Sequence, residues 1–388
     1  MKVVIAIDSF KGSLSSIEAG RAATCGVLRV FPFAEVFVSP LADGGEGTLD
    51  AIISAVGGKY VEATVTGPLG DKVAAKYGVT PDGGAVIEMA SAAGITLVPK
   101  KKRNPLFTTT YGVGELIRHA ILTSRCRKFT VCIGGSATND GGLGMLTALG
   151  FKFLDESGNS VGIFGNDLKK IAKIDIKSAL PELSECEFSV ASDVKNPLCG
   201  ENGCSEVFAP QKGATPEIIR DMDSWLSEYA RLTEASLENS FADFPGAGAA
   251  GGLGFALLSY LGARLSPGIE LVIDRTELEK KISECDVVIT GEGRLDGQSG
   301  MGKAPVGVAR VAKKYGKTVI AFAGAVTEDA RALNASGIDA FFPILKSPCT
   351  LEAAMNIENA KANLADTAEQ AFRIIKTVKE TTKNEICN

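Results

Sequence analysis

Histidine is almost absent from this chain, and its scarcity limits the chemistry that the protein can perform. His119 is the only histidine among 388 residues, and it lies in a helical pattern, which argues against a Ser-His-Asp arrangement. The nine cysteines contain no CxxC pair, and a zinc site would need four good ligands. Cys132 and Cys285 lie in apolar runs, where a thiol acts as a small hydrophobic group. The cysteine pattern is typical of a reducing cytoplasm.

The chain also lacks a long apolar run and a long basic run. No stretch approaches the roughly 20 apolar residues that span a bilayer, and the apolar run before Asp8 is too short for a signal peptide. The net charge is −5, and the longest positive run is KKKR at residues 100–103. We therefore expect a cytoplasmic protein that binds neither membranes nor nucleic acid.

Glycine is abundant by contrast, with 44 residues that cluster beside charged side chains. Such clusters suggest backbone loops pressed against a ligand. The first cluster follows the apolar run VVIAI, which is typical of a buried parallel strand. Asp8, Lys11 and Gly12 come next, and then Ser15 and Glu18, which form a capping box for a helix. A turn needs only the glycine and the cap, so Asp8 and Lys11 are candidates for holding a ligand.

The order of strands and helices predicts an α/β protein with two domains. Strand–loop–helix units occupy the N-terminal part of the chain, where TLDAIISAV is a predicted helix, and recur from residue 284. In this second part CDVVITG is a predicted strand and EDARALNAS a predicted helix. Residues 60–100 alternate between apolar and polar, with Pro-Leu-Gly and Pro-Asp-Gly-Gly turns, as antiparallel strands do. We predict a Rossmann-like parallel three-layer domain of residues 1–60 plus 280–388, and an inserted mixed-sheet α/β domain of residues 61–279.

Acidic residues or glycine loops follow five of the predicted strands, at the ends where open α/β sheets bind ligands. These positions are Asp8, then Asp43 and Glu46, then Gly134, Gly135, Ser136, Asn139 and Asp140, then Asp193, and finally Glu292, Arg294 and Asp296. Carboxylates that face one cleft repel each other unless cations join them. Lys11, Lys303 and a divalent metal would supply that charge, and Mg²⁺ suits a few carboxylates combined with substrate phosphates.

Two glycine motifs come close to known nucleotide-binding patterns. Residues 297–304, GQSGMGKA, have the G-x-x-x-x-G-K spacing, but Ala304 stands where a P-loop has Ser or Thr. Pro305 then suits the first turn of a helix, whose N-terminus binds anions without a regular P-loop. Residues 246–251, GAGAAG, match G-x-G-x-x-G, but no good strand precedes them, so close helix packing or a mobile loop is an equal interpretation.

The whole set of motifs resembles the bacterial glycerate kinase family, of the type that usually makes 2-phosphoglycerate. The motifs are DSFKGSLSS, LADGGEGT, GGSATNDGGLG, ASDVKNPLCG, GAGAAGGLG, and GEGRLDGQS followed by GKAPVGVA, in order from residue 8 to 309. The resemblance implies phosphorylation of D-glycerate with ATP and Mg²⁺. It also implies two α/β domains with the active-site cleft between them, the larger domain being flavodoxin-like.

Phosphoryl transfer requires positioning and charge neutralisation, and these needs assign roles to the candidate residues. We predict Asp193 as the catalytic carboxylate, with Asp296 as second choice, and Lys11 as a catalytic cation. The predicted substrate-binding residues are Asp8, Lys11, Asp43 and Arg294, where the arginine grips the glycerate carboxylate. The predicted nucleotide- and phosphate-binding residues are Gly134, Gly135, Ser136, Asn139, Asp140 and Lys303. The predicted metal ligands are Asp193 and Glu292.

Other functions remain open at this point. Phosphorylation at C2 rests on the resemblance alone, so a glycerate 3-kinase or another hydroxy-acid kinase is an alternative. A dinucleotide-dependent dehydrogenase would rest on residues 246–251 and the α/β pattern, and a small-carboxylate-binding module would bind its ligand without turnover of ATP. The sequence does not determine the oligomeric state.

Overall fold

The computed structural model describes residues 1–239, 241–297 and 303–386, with side chains to residue 381. Thirteen strands lie within these residues: β1 (Lys2–Ile7), β2 (Glu35–Val38), β3 (Lys59–Thr66), β4 (Lys72–Val79), β5 (Ala85–Glu88), β6 (Lys128–Cys132), β7 (Lys152–Leu154), β8 (Lys173–Asp175), β9 (Glu187–Ala191), β10 (Arg264–Ser266), β11 (Val287–Leu295), β12 (Thr318–Val326) and β13 (Ala340–Pro343).

The same residues contain thirteen α-helices and several short 3-10 segments. The helices are α1 (Ser16–Val30), α2 (Thr48–Val56), α3 (Ala90–Ala93), α4 (Tyr111–Leu122), α5 (Leu143–Ala148), α6 (Cys204–Phe208), α7 (Pro216–Leu237), α8 (Ala249–Leu261), α9 (Gly268–Arg275), α10 (Leu278–Glu284), α11 (Ala304–Lys314), α12 (Leu351–Met355) and α13 (Ile357–Ile386). The 3-10 segments are Ile95–Leu97, Lys100–Lys102, Pro105–Phe107, Gly165–Lys170, Pro181–Glu185, Pro210–Lys212 and Glu328–Asn334.

The chain divides into two compact units, which are described separately. Unit 1 comprises Met1–Asp43, Asp50–Ala55 and Ile269–Asn388, and unit 2 comprises Gly44–Leu49 and Val56–Gly268. Unit 2 is therefore inserted into the sequence of unit 1. The division into domains 1–60 plus 280–388 and 61–279 stays a prediction.

Unit 1 is built on a five-stranded sheet in the order β13-β12-β11-β1-β2, with every neighbouring pair parallel. Numbered within the unit, this order is 2-1-3-4-5, which is the flavodoxin-like arrangement. The resemblance gave this fold to the larger domain, whereas here it belongs to the smaller unit. The strand order reverses between β1 and β11, and such sheets bind ligands beyond the carboxyl ends of the strands at that point.

The continuous apolar run of β1 is explained by burial on both faces of this sheet. Val3, Val4, Ile5 and Ala6 are each 0% exposed, as expected for a strand in the middle of a parallel sheet with helices on both sides. The predicted capping box forms at the start of α1, because the Ser15 hydroxyl accepts from the backbone of the third helical residue, whose carboxylate accepts in return.

Unit 2 is built on a six-stranded mixed sheet in the order β10-β9-β6-β5-β4-β3. The β3–β4 and β4–β5 pairs are antiparallel, as the alternating pattern predicted, and the remaining pairs are parallel. A separate antiparallel pair joins β7 to β8. Helices α4, α5, α7 and α8 contribute to the hydrophobic core that packs on this sheet.

Two predicted elements differ from the structure in a way that affects the site. β11 continues to Leu295 instead of ending near Gly291, because β12 pairs with it over that whole length. Glu292 and Arg294 therefore lie on a strand and not in the loop after it. The segment EDARALNAS forms a 3-10 segment, Glu328–Asn334, instead of an α-helix.

The cysteines and the helices bear on two sequence-based expectations. The eight cysteines within the described residues are free, and Cys132 and Cys285 are buried in the core. No helix in the described part of the chain is long and apolar enough to cross a membrane. The cytoplasmic location and the lack of a nucleic-acid partner stay predictions.

Candidate active site

The carboxyl end of β1 places Asp8 and Lys11 on a tight turn. The backbone N–H of Phe10 donates to the carbonyl of Leu14 at 2.8 Å, which closes the turn. Gly12 occupies its left-handed position at a φ of 81°, a conformation that side chains other than glycine rarely adopt. The sequence DSFKGSLSS thus uses its glycine for the turn, which leaves Asp8 and Lys11 without a role in the turn itself.

Asp8 is a buried carboxyl group in an acidic environment. It is 5% exposed, and its Oδ1 accepts from the Ser9 N–H at 2.6 Å. Burial, followed by the negative charge of Asp43, raises the pKa of Asp8 to about 7 against the opposing effects of Ser9 and Lys11, and Glu292 adds a smaller upward effect. Asp8 is therefore close to its protonation midpoint at neutral pH.

Lys11 forms an ion pair with Asp43, one of the acidic residues near Asp8. Its Nζ lies 3.2 Å from Asp43 Oδ2. Burial acts to lower the pKa of Lys11, but the attraction of Asp43, Asp8 and Glu292 outweighs it, so the pKa rises. Lys11 is fully protonated at neutral pH, and its largely exposed side chain is accessible to a ligand.

Arg294 of β11 and Lys303, which precedes α11, place two further charges beside Asp296. Arg294 Nε lies 3.7 Å from Asp296 Oδ2, and Lys303 Nζ lies 3.9 Å from Asp296 Oδ1. Lys303 precedes the first residue of α11, and Pro305 is in the first turn of that helix, as predicted. Most of the motif GQSGMGKA, residues 298–302, lies outside the described residues. The anion-binding role of that motif stays a prediction.

These charged groups line one cavity of unit 1, with a volume of about 430 Å³. Asp8, Lys11, Glu292, Arg294 and Lys303 all contribute to its polar part. Leu351 and Met355 of α12 contribute to an apolar wall. Small-molecule sites combine apolar walls with a few convergent polar groups in this way, and a three-carbon acid would fill only part of the volume.

The glycine-rich loop after β6, residues 134–142, is the corresponding feature of unit 2. Asp140 is fully buried there, and its Oδ2 accepts from the N–H of Thr110 at 2.8 Å and from the Thr110 hydroxyl at 2.7 Å. The N–H groups of Gly142 and Gly144 donate to the same carboxyl group at 3.3 Å. Burial raises the pKa of Asp140, against the effect of these four hydrogen bonds. Asp140 therefore anchors the loop to α4 and α5.

The rest of this loop is packed tightly against neighbouring backbone. A side chain at Gly251, in the motif GAGAAG, would collide with the carbonyl oxygen of Thr138, and Gly251 has a φ of 69°. Among the described residues before that motif, no strand leads into it, and turns occupy residues 242–245. GAGAAG therefore packs closely against the loop. It lacks the preceding strand that a dinucleotide-binding fingerprint requires, so the structure gives no support to that interpretation.

Asn139 and Ser136 occupy different positions in the loop. Asn139 is fully buried, and its Nδ2 donates to Ser205 Oγ at 2.9 Å. Ser136 is 8% exposed, and its hydroxyl accepts from Lys212 Nζ at 2.8 Å. Sequence reasoning missed Lys212 entirely. Its only signal was a lysine between Pro210 and Gly213 at the end of an apolar segment, and that pattern is common in surface turns.

Asp193 follows β9 on the same sheet of unit 2. Its Oδ1 accepts from the backbone N–H of Gly268 at 2.9 Å, which holds the carboxylate at the strand end. His119, in contrast, is half-buried on α4 with its Nδ1 2.9 Å from the Tyr77 hydroxyl, so it is a packing residue as predicted.

The predicted site residues thus fall into two groups. Unit 1 holds Asp8, Lys11, Asp43, Glu292, Arg294, Asp296 and Lys303, and unit 2 holds Gly134, Gly135, Ser136, Asn139, Asp140 and Asp193. The two predicted metal ligands, Asp193 and Glu292, belong to different units.

Comparison with known proteins identifies the family. The model of the glycerate kinase family matches residues 3–376. The chain belongs to the glycerate kinase family. It is 50% identical to a glycerate 2-kinase of Escherichia coli strain K12 over 379 residues, which is 96% of this chain and 99% of the relative. It is 48% identical to a glycerate kinase of Haemophilus influenzae, over 97% of this chain and 99% of that one.

A solved structure agrees with this assignment. A crystal structure of a protein assigned as glycerate kinase 2, from Salmonella typhimurium LT2, matches with a TM-score of 0.90 and 46% identity. The match covers 98% of this chain and 99% of that chain. Members of this family are phosphotransferases with an alcohol group as acceptor, so the protein shares the α/β fold and the reaction class that its motifs predicted.

Proposed function

We propose that this glycerate kinase family member transfers the γ-phosphoryl group of ATP to the C2 hydroxyl of D-glycerate, giving 2-phospho-D-glycerate and ADP. The observation that carries the proposal is the identity of 50% to a glycerate 2-kinase over nearly the whole of both chains. The cavity of unit 1 supports it, because its polar part contains cations for a carboxylate and acids for hydroxyl groups.

The substrate contacts follow from the charges of that cavity. The Arg294 guanidinium is 65% exposed at its side chain and can grip the glycerate carboxylate through two parallel hydrogen bonds. Lys11 adds a second positive charge to the cavity, and Asp8 accepts from a hydroxyl group of glycerate. Asp43, which is paired with Lys11 at 3.2 Å, is proposed as a second acceptor. In this proposal Lys303, which precedes α11, contacts the transferred phosphoryl group.

The chemical step forms one bond and breaks another. The glycerate hydroxyl oxygen attacks the γ-phosphorus, and the bond from that phosphorus to the β–γ bridging oxygen breaks as ADP leaves. Asp193, which Gly268 holds in place, accepts the hydroxyl proton in this proposal. Asp8 is the second candidate for the proton acceptor, since a pKa of about 7 is matched to proton transfer at neutral pH.

Mg²⁺ is the cofactor that the family resemblance implies. Within the described residues, no group of three or more His, Cys, Asp or Glu side chains is arranged to hold a metal ion. Mg²⁺ that is carried by nucleotide phosphates needs only one or two protein carboxylates, and Glu292 or Asp193 can supply one. When bound, the ion would neutralise charge on the phosphates, while the residues described above bind and orient the substrate.

Phosphorus NMR of a reaction with D-glycerate, ATP and MgCl₂ tests the proposal. A new phosphomonoester signal split by one proton is expected for C2, whereas splitting by two protons would reassign the acceptor to C3. Intact ATP without a new signal would refute the glycerate kinase assignment. A parallel reaction with excess EDTA should show no product, and product formation there would contradict the requirement for Mg²⁺.

A further inference from the structure

Lys212 is a buried lysine in contact with the glycine-rich loop after β6. It is 2% exposed and ends the 3-10 segment Pro210–Lys212. Its Nζ donates to Ser136 Oγ at 2.8 Å and to the carbonyl oxygen of Thr138 at 2.6 Å. Within the described residues, both of these hydrogen-bond partners of Lys212 Nζ are neutral oxygens. A cation is thus held under the loop by neutral acceptors.

Burying an ammonium group without a directly paired carboxylate is costly, and most proteins avoid it. Burial lowers the pKa of Lys212 to about 8, while Cys204 of α6 and Asp140 of the loop act in the opposite direction. Asp140 already accepts four hydrogen bonds from Thr110, Gly142 and Gly144. Asp140 thus acts on Lys212 through space, but the hydrogen bonds of Lys212 Nζ go to neutral oxygens, and its positive charge favours an anion at the loop.

The contact with Ser136 also determines what that hydroxyl can do. An ammonium group has donors only, so Ser136 Oγ must act as the acceptor in this hydrogen bond. The hydroxyl proton is then directed away from Lys212 and is available to donate to another group. Ser136 is 8% exposed, and the next residue but one, Thr138, is held by the same Nζ. Lys212 thus fixes both the backbone of the loop and the direction of one donor.

We propose that Lys212 is a positioning residue for nucleotide binding, which orients the Ser136 hydroxyl as a donor to a phosphate oxygen of ATP and supplies positive charge beneath the loop. The inference rests on the proposed function, since it takes a nucleoside triphosphate as the ligand of this loop. It adds a residue that acts through Ser136 and the loop backbone without touching the nucleotide itself.

The test measures ATP affinity by calorimetry, and the KM for ATP by steady-state kinetics, between pH 7 and 9.5. This range lies above the second pKa of a phosphate group, which is about 6. For the wild-type protein, we expect ATP affinity to fall as pH rises through about 8, when Lys212 loses its proton. A lysine that only stabilised the fold would leave the KM for ATP independent of pH.

Three variants and one control variant separate positioning from folding. Lys212→Met should raise the KM for ATP by about 10- to 100-fold at pH 7, the range for a hydrogen bond to a charged group, and should remove its dependence on pH. Ser136→Ala should weaken ATP binding with little change in unfolding temperature, and the double variant should lose less than the sum of the two. Lys177→Met, which changes an exposed lysine of the same unit, is the matched control and should behave as wild type.

The outcomes distinguish this inference from the proposed function. If the wild-type protein binds ATP but does not phosphorylate glycerate, the proposed function fails while calorimetry still tests Lys212. If a folded Lys212→Met variant keeps the wild-type KM for ATP, the inference is overturned although the enzyme is a glycerate kinase. Should Lys212→Met fail to fold, Ser136→Ala and the wild-type pH profile decide instead. Unchanged affinity in the first, or a flat profile in the second, would overturn the inference.

Discussion

Replacing Asp8 with asparagine is expected to stabilise the protein, and the gain should grow with pH. The pKa of Asp8 is raised from 3.8 to about 7 by burial and by the nearby charges of Asp43 and Glu292. The folded protein therefore binds a proton at Asp8 over a range in which the unfolded chain has already released it. Because the folded state binds more protons there, its stability falls as pH rises through that range.

The magnitude follows from the shift. One pKa unit corresponds to about 1.36 kcal/mol, so Asp8 should lower the free energy of unfolding by roughly 4 kcal/mol above pH 7 and by roughly 2 kcal/mol at pH 5. The cost should vanish below about pH 4, where both states are protonated. Asparagine keeps the volume and the acceptor for the Ser9 N–H but carries no charge, so the variant should gain about these amounts.

Hydrogen exchange is the appropriate assay, because it reports on unit 1 directly. The only tryptophan, Trp225, lies on α7 of unit 2, so its fluorescence would follow the wrong unit. Exchange of the β1 amides, in EDTA to exclude metal, should show opening free energies that diverge between variant and wild type from pH 5 to 8. Asp274→Asn, at an exposed position of unit 1, is the control and should show no divergence. Equal free energies at pH 8, or a less stable Asp8→Asn variant, would refute the reasoning.

Further predictions concern packing, substrate binding and thiol reactivity. Gly251→Ala should destabilise unit 2 by roughly 2 kcal/mol or more, because the methyl group would meet the carbonyl oxygen of Thr138 at a positive φ; a thermal melt like wild type would contradict this. Lys11→Met should raise the KM for glycerate about 10- to 100-fold, and kinetics with an unchanged KM would exclude Lys11 from the substrate site. Brief alkylation of the native protein, followed by peptide mass spectrometry, should modify Cys25 and Cys349 before the other described cysteines, because these two are exposed. Early modification of a buried cysteine would contradict the burial described here.

Features that depend on near neighbours in the chain could be predicted closely. The helix at TLDAIISAV has the predicted bounds as α2, and the capping box at Ser15 forms as predicted. Pro305 lies in the first turn of its helix. Each of these depends on a periodic pattern or a cap within one or two turns, so the information lies within a short segment of chain.

The extent of β11 could not be predicted in the same way. Its apolar run stops at Thr290, and the following GEGR sequence is typical of a loop. The strand continues because β12 supplies hydrogen-bond partners as far as Val326. The positions of Glu292 and Arg294 on a strand are therefore a consequence of pairing between distant segments, which overrides local propensity.

The candidate site residues likewise combine properties that the local sequence indicated with properties that only the tertiary fold determined. The order of the motifs was enough to indicate the family, the reaction class and the acids at the strand ends, because each motif is a local turn with its own chemistry. The tertiary fold determined the burial, the neighbouring charges and the hydrogen bonds of those acids. Asp8 is buried near other carboxylates, and its pKa is about 7. The carboxyl group of Asp140 instead accepts four hydrogen bonds, from Thr110, Gly142 and Gly144. Lys212 gained its position only by packing against a loop more than seventy residues earlier in the chain. Charge and burial act through space, so their effects depend on neighbours that only the tertiary fold brings together.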